Sequence, residues 1–344
     1  MDIDLYLQAV TDFKNNKISF SEFEKIRSQF GMNTDSLQEM LSIDFASLVN
    51  NLKNYLAISD LELVLRVLIG VVLSNRLAGN PVWLLLVGEP SSGKTELLSL
   101  LYNLENVHFL SSLTQNTLAS GMRGEPGLLS ILKPSPTPIL ITKDFNTLMT
   151  LQPDKRNEIL SQLREIYDGK YSKRFGNGVY IQWQGKIGFI GASTPVIENY
   201  LSDMGILGER FILYRMEAEG NPVATALKAV VASGQEVFWQ NIASKTLKEF
   251  FNKLPVKIQV SIPTAIQNKL AYLSAFTVQA RSPVRRDRYT REVIFVGSES
   301  SPRLAKSLAQ LCKGVALSFG RVEVQNDDFD LILEVALSSI PSLR

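Results

Sequence analysis

The sequence predicts an α/β fold: a parallel sheet of five strands covered by helices, with a small helical region before it and a mainly helical part after it. Three observations predict this. Short runs dominated by apolar residues recur at Trp83–Val87, Val107–Leu110, Ile139–Thr142, 186–191 and 208–216, as strands buried on both faces require. Helical stretches separate most of these runs, the layout of a sheet whose strands run parallel. The first run ends in a glycine-bounded loop, Gly88-Glu89-Pro90-Ser91-Ser92-Gly93-Lys94-Thr95, which opens a helix.

Taken in order, residues 1–56 are polar with helical spacing. Ser21 reads as an N-cap, Gly31-Met32-Asn33 breaks that helix, and Thr34-Asp35-Ser36 starts another. The region is either a packing or partner-binding appendage or a helix-turn-helix. The α/β part covers 57–220. Ser59-Asp60 caps a long apolar helix that stops at Ala78-Gly79-Asn80-Pro81. Residues 113–121 read as a capped helical turn, and the prolines of 133–138 as a rigid lead-in to the third strand. Residues 154–169 form a helix carrying Arg164, Glu165 and Asp168. Residues 170–183 alternate around Phe175-Gly176-Asn177-Gly178, a hairpin signal. Asn221-Pro222 marks a boundary, and 221–344 is the mainly helical part. Its interruption at 281–296 is basic, then β-branched; 301–337 reads as two helices joined through Gly320.

Composition excludes several classes. Hydrophobic content of 45% and charged content of 20% describe an ordinary globular core, and a net charge of +2 is too weak to announce a nucleic-acid binder. A single cysteine, Cys312, rules out an internal disulfide framework and a cysteine-rich zinc site; it sits in a helical pattern as a small core residue. A single histidine, His108, argues against histidine-based metal chemistry. The N-terminus lacks a signal layout, and the most apolar helical run contains Glu62 and Arg66 and is too short to span a bilayer. The expected setting is cytoplasmic.

The loop at 88–95 carries the chemistry. Gly88 and Gly93 let the backbone curl so that successive N–H groups, with those of Glu89, Pro90's neighbours Ser91 and Ser92, face a phosphate chain. Lys94 places a positive charge on it, Thr95 offers a hydroxyl to Mg²⁺, and the helix that begins there aims its positive dipole end at the same anion. A plain βα turn is the bland alternative. Such a site needs an acid, and Asp144 ends the third strand; otherwise it caps the next turn. Lys143 and Phe145 flank it, so the usual acid pair is missing and help would have to come from Glu165 or Asp168. Thr194 ends the fourth strand, where a polar group can meet a terminal phosphate or position water. Arg210 begins the fifth strand, placed to project toward a neighbouring subunit or to pair with Glu209 at the surface. Arg303 lies in the first turn of a helix favoured by Pro302, positioned to reach the phosphate when a lid closes or to stay solvated.

Together these residues resemble the AAA+ ATPases, and the chain from about 60 to 340 is most similar to the core of the MCM helicases and their mobile-element relatives. The resemblance rests on the P-loop, Asp144, Ser112 to Leu118, the stretch from Leu163 to Gly169 with its hairpin, Ala192-Ser193-Thr194-Pro195, Gly-Glu-Arg210-Phe and Ser-Pro-Arg303. It implies ATP and Mg²⁺ as ligands, hydrolysis, a ring or other oligomer, an arginine finger at Arg210 and a sensor arginine at Arg303. The family's acid motif reads Asp-Glu-Phe where this chain reads Lys143-Asp144-Phe145, which leaves Asp144 in either the metal-holding or the water-polarising role. Thr194 replaces the commoner asparagine, and the family's DNA-binding N-terminal module is missing.

On such a ring the hairpin would face a central pore. Lys173 and Arg174 would hold DNA phosphates while Phe175 or Tyr180 packs on sugar or base; an ordinary solvated hairpin is the alternative. Arg281, Arg285, Arg286, Arg288 and Arg291 form a second basic cluster, for phosphate or simply for solvent. The expected activity is an ATP-dependent DNA motor or DNA-remodelling ATPase. The alternatives are a nucleotide-driven remodeller of a protein partner, with contact through the N-terminal region, and a nucleotide binder that barely hydrolyses.

Overall fold

The computed structural model describes residues 12, 22, 25 and 45–341, apart from 123, 125–126, 201–209, 218–220, 254–257, 283, 287–289, 291 and 297–299. The helices expected within 1–44, the Ser21 cap, Glu209, Arg288 and Arg291 lie outside the described residues. Helix α1 (Phe45–Lys53) and helix α2 (Leu61–Arg76) lead into β1 (Trp83–Val87), and the glycine-bounded loop then gives a short α3 (Lys94–Ser99). Strand β2 (Val107–Leu110), β3 (Ile139–Thr142), α4 (Asn146–Met149) and α5 (Pro153–Tyr167) follow. The hairpin β4 (Lys170–Arg174) and β5 (Tyr180–Gln184) precedes β6 (Gly188–Ser193) and β7 (Phe211–Arg215). Beyond these lie α6 (Pro222–Ala232), α7 (Glu236–Lys253), α8 (Thr264–Arg281), the hairpin β8 (Val284–Arg286) and β9 (Val293–Val296), α9 (Ser301–Ser318) and α10 (Asn326–Ser338).

The result is an α/β molecule whose five-stranded parallel sheet has the order β2-β3-β6-β1-β7, flanked by helices. Successive side chains of a strand point to opposite faces, and here both faces are buried. Leu84, Leu86, Ile139, Ile141, Ile190 and Ile212 join one apolar cluster with α1, α2, α3 and the C-terminal helices. Trp83, Leu85, Val87, Leu140, Phe189 and Phe211 join a second with α5 and the β4–β5 hairpin. That double burial is why these strands read as unbroken apolar runs.

Strand order decides where a ligand fits. The chain leaves β1 for β2 at the far edge, and leaves β6 for β7 on the other side of β1. The connections diverge at the carboxyl end of β1, where such sheets open a crevice. Helix α2 starts beside the carboxyl end of β7, where Asp60 accepts the Tyr214 hydroxyl. It ends at the entry to β1, where Asn75 bonds both Val82 N, at 3.0 Å, and Val82 O, at 2.8 Å. Helix α9 lies along α2 at very close range: a Cβ on Gly314 would sit 2.0 Å from Gly70 O. Helix α10 continues this layer onto β7, with Ser339 Oγ donating to Leu213 O at 2.9 Å. The C-terminal helices thus share one core with the sheet.

Two local expectations change and one holds. The fourth core strand is Gly188–Ser193 rather than 186–191, because Lys186 is drawn off to donate to Leu77 O at 2.8 Å and Ser74 O at 3.4 Å. The capped turn expected within 113–121 forms at Thr114–Thr117: the Thr117 N–H donates to Thr114 O at 3.2 Å, and the Thr117 hydroxyl takes the Thr114 N–H at 2.9 Å. Asp60 occupies the N-cap of α2 but makes no side-chain cap bond, since Tyr214 engages its carboxylate.

Candidate functional site

The loop after β1 turns sharply. Gly93 has φ 81°, a left-handed conformation natural to glycine, and a Cβ on Gly88 would lie 2.8 Å from Ser92 Oγ. Gly88 N–H donates to Ser193 O at 3.1 Å, which fixes the start of the loop to the end of β6. Lys94 is buried and folds back into the loop: its ammonium donates to Glu89 O at 2.6 Å, Gly88 O at 2.8 Å and Ser92 Oγ at 3.1 Å. Burial lowers the Lys94 ammonium from its ordinary value, while Glu89 and Asp144 oppose the shift. Asp144 therefore lies within electrostatic reach of Lys94. Thr95 is exposed at the mouth of the loop.

Asp144, Thr194 and the loop all gather at the carboxyl ends of β3, β6 and β1. Asp144 is exposed and its Oδ1 accepts the Asn146 N–H at 2.9 Å. Thr194 Oγ1 accepts from Asn146 Nδ2 at 3.0 Å, and Ser193 Oγ donates to Asn146 Oδ1 at 2.7 Å. Asn146 is the residue the sequence reading missed; its only sequence signal was its place two residues past Asp144. Lys143 leans away toward the sheet edge, with Nζ 5.6 Å from the Phe109 ring centroid on β2.

The two arginines do not join this cluster. β7 pairs with β1 so that Phe211 faces Trp83 and Arg215 faces Val87, which puts Arg210 at the amino end of the sheet. Strand rise separates it from the loop by roughly 17 Å. Its guanidinium is not a surface group. It is 3% exposed and grips Asp168 through Nη2, at 2.9 Å from Oδ1 and 2.7 Å from Oδ2. It also lies 5.1 Å from the Tyr167 ring centroid. Burial lowers the Arg210 pKa, and Asp168 opposes that shift. Arg303 sits at the same end, for its charge acts on both Arg210 and Tyr167, and one turn along α9 Ser307 bonds the Tyr167 hydroxyl at 3.1 Å. In this conformation Arg303 lies away from the loop of its own chain: α9 starts where α2 ends, about 24 Å of helix away. Asp168 is committed to Arg210, and Glu165 lies beside it at the carboxyl end of α5, so neither supports Asp144.

The basic elements are also largely engaged. Lys173 forms an ion pair with Glu158 at 2.9 Å. Phe175 packs so tightly on Gly121 that a Cβ there would sit 2.7 Å away. Strand alternation leaves Lys170, Arg174, Tyr180 and Gln182 on the exposed face of the hairpin, with Arg174 5.5 Å from the Tyr180 ring centroid. Arg281 is buried, 7% exposed, rather than part of a solvated basic patch. Arg285 and Arg286 lie in β8, and their side chains are outside the described residues.

No family model and no curated protein matches this chain. Reading the site therefore rests on its geometry. Beside the loop opens a cleft of about 340 Å³. Tyr55, Leu56 and Ala57, after α1, form one wall, and Thr225, Ala229 and Ala232 of α6 form the other. Gly93 packs against the first wall, with its Cβ position 3.1 Å from Ile58 Cδ1. These residues were not picked from the sequence. The spacing 225, 229, 232 is one face of a helix, but small residues at that spacing carry no chemical label. Among the described residues no helix is long and apolar enough to cross a membrane.

Proposed function

We propose that this chain binds and hydrolyses ATP as an oligomeric ATPase of the AAA+ kind, similar to the MCM helicase core, and that it drives work on DNA. The observation that carries the reading is the convergence of a buried Lys94 on a glycine-bounded loop with Asp144 at the end of β3, two strands over, both at the carboxyl edge of a parallel sheet. Lys94 would exchange loop carbonyls for phosphate oxygens, with the loop N–H groups completing the cradle. The cleft walled by Leu56, Ala57, Ala229 and Ala232 is of a size to take a base and sugar. Thr95 and Asp144 are exposed oxygen donors of the kind that hold Mg²⁺ alongside substrate phosphates, and the ion would offset phosphate charge there. Asp144 would orient the attacking water or the ion, and Thr194 would donate its hydroxyl to a phosphate oxygen or to that water. Because Arg210 and Arg303 share the opposite end of the sheet, they would serve the loop of a neighbouring subunit in a head-to-tail assembly. Arg210 would leave Asp168 to do so.

Turnover of ATP by the parent against Lys94→Ala and Asp144→Asn tests the site. Both variants should lose at least about 100-fold in rate; rates equal to the parent overturn the assignment. DNA is tested by binding at low salt and by stimulation of turnover. DNA contact through the exposed hairpin face predicts that Arg174→Ala weakens binding with a smaller salt slope.

A second reading is favoured by one observation. Val223, Leu227, Val230 and Val231 of α6 and Phe238 of α7 are exposed by 59% to 76%. An apolar surface next to the nucleotide cleft suits a remodeller that passes its state to a protein. If DNA neither binds nor stimulates, this reading replaces the DNA motor.

A further inference from the structure

The chain leaves β3 at Thr142 and is caught at once by β6: Phe145 N–H donates to Ala192 O at 2.7 Å. That bond delivers Asn146 to the gap between two strand ends. Its backbone N–H holds Asp144 Oδ1 at 2.9 Å, its Nδ2 holds Thr194 Oγ1 at 3.0 Å, and its Oδ1 takes the proton of Ser193 Oγ at 2.7 Å. Thr147 Oγ1 adds a bond to Asp144 O at 2.8 Å. Ser193 in turn offers its carbonyl to Gly88 N of the phosphate loop at 3.1 Å. A single partly buried amide thus links the acid, the polar residue of β6 and the loop.

The chemistry has a direction. A hydroxyl has one proton and two lone pairs. Ser193 Oγ has two acceptors in reach, Asn146 Oδ1 at 2.7 Å and Thr194 O at 3.1 Å; its one proton goes to the nearer, which turns the NH₂ end of the amide to Thr194. The Thr194 oxygen accepts that N–H, so its own proton must go elsewhere, away from Asn146. We infer that Asn146 is a positioning residue: it orients the Thr194 hydroxyl as a donor toward the phosphate site and fixes Asp144 beside it. This rests on the hydrolytic reading above.

The test uses the full chain, ATP turnover, affinity for a non-hydrolysable ATP analogue, and melting temperature. Asn146→Ala should lower turnover about 10- to 100-fold, as loss of a supporting hydrogen-bond partner does, with affinity within about threefold of the parent. Asn146→Asp separates positioning from folding. It keeps an acceptor for Ser193 and the N–H for Asp144 but has no donor for Thr194, whose proton would turn inward. It should melt near the parent and lose at least as much turnover as Asn146→Ala. Combined with Thr194→Val, either variant should fall no more than about twofold below the stronger single variant, since the two residues act through one bond. Three results overturn the inference: parent-like turnover in Asn146→Asp, losses that multiply in the double variant, or affinity falling in step with turnover. Lys94→Ala distinguishes the two levels. If it too keeps parent turnover, the hydrolytic reading fails; if it is inactive while Asn146→Asp is active, only the role of Asn146 fails.

Discussion

Lys186 holds its ammonium half-buried at the carbonyl end of α2, where it donates to Leu77 O, and burial pulls its pKa down to about 8. The sign of the consequence follows from linkage. Below that value both folded and unfolded chains hold the proton, and the fold bears the full cost of burying charge. As pH rises from 8 toward the ordinary lysine value, the folded chain is neutral while the unfolded chain is still charged, so stability rises. The gain is about 3 kcal/mol over that window. Measured against Lys186→Met by denaturant unfolding between pH 7 and 10, the parent should improve relative to the variant; a flat difference would mean the ammonium is not buried. Arg210 illustrates a different balance. Its guanidinium keeps its charge at the buried end of a side chain, and Asp168, itself 55% exposed, supplies a counter-charge at 2.7 Å. To leave Asp168 for a second subunit, as proposed above, Arg210 would need an equivalent counter-charge there.

The decisive elements are α2 and α9. Helix α2 has no glycine cap at its carbonyl end; Leu77 is extended and the chain runs on through Ala78-Gly79-Asn80-Pro81. Side chains from elsewhere finish it. Gln310 of α9 donates to Ser74 O at 2.9 Å and Ala78 O at 3.0 Å. Gln310 is 5% exposed, so water cannot replace it. Gln310→Leu should cost about 1–3 kcal/mol, because Ala78 O loses the Gln310 donor and Ser74 O keeps only Lys186 at 3.4 Å while volume is kept; a loss under about 0.5 kcal/mol in thermal or denaturant unfolding would show that the carbonyls find other donors. The same contact holds α9 antiparallel along α2, and so delivers Arg303 to the end of the sheet opposite the glycine-bounded loop. The β4–β5 hairpin is likewise defined by what it packs on. Tyr171 and Ile181 face α5, and this orders the inward and outward sets that decide which basic residues remain exposed.

For the molecule as a whole, the loop lies at one end of the sheet and the arginines at the other, so under the proposed function each chain would be half of two sites. A head-to-tail assembly would join them, and this has a quantitative consequence. Arg210→Ala and Lys94→Ala should each be nearly inactive alone. Mixed in equal amounts, they should recover about a quarter of parent turnover, the statistical share of interfaces that pair an intact loop with an intact arginine. Recovery should require subunit exchange and fall on dilution. No recovery, with assemblies demonstrably mixed by light scattering, would place the arginines outside the reaction.

How much of this was legible in the sequence depended on the range of the interaction. The sequence by itself determined the α/β class, the strands at 83–87, 107–110 and 139–142, and the loop from Gly88 to Thr95. Burial on both faces and the curl of a phosphate loop leave local signatures in apolar runs and glycine spacing. It also placed Asp144 and Thr194 at strand ends, since strand ends follow from the runs. Only the tertiary structure decided that Asn146 bridges them, that Leu56 and Ala229 face each other across a cleft, and that Arg210 is buried against Asp168. It alone placed Arg303 far from its own loop. Each of these depends on strand order or on helix-to-helix approach, in which residues about 40 to 250 positions apart are brought within bonding distance, and no local pattern encodes which of many polar side chains will meet.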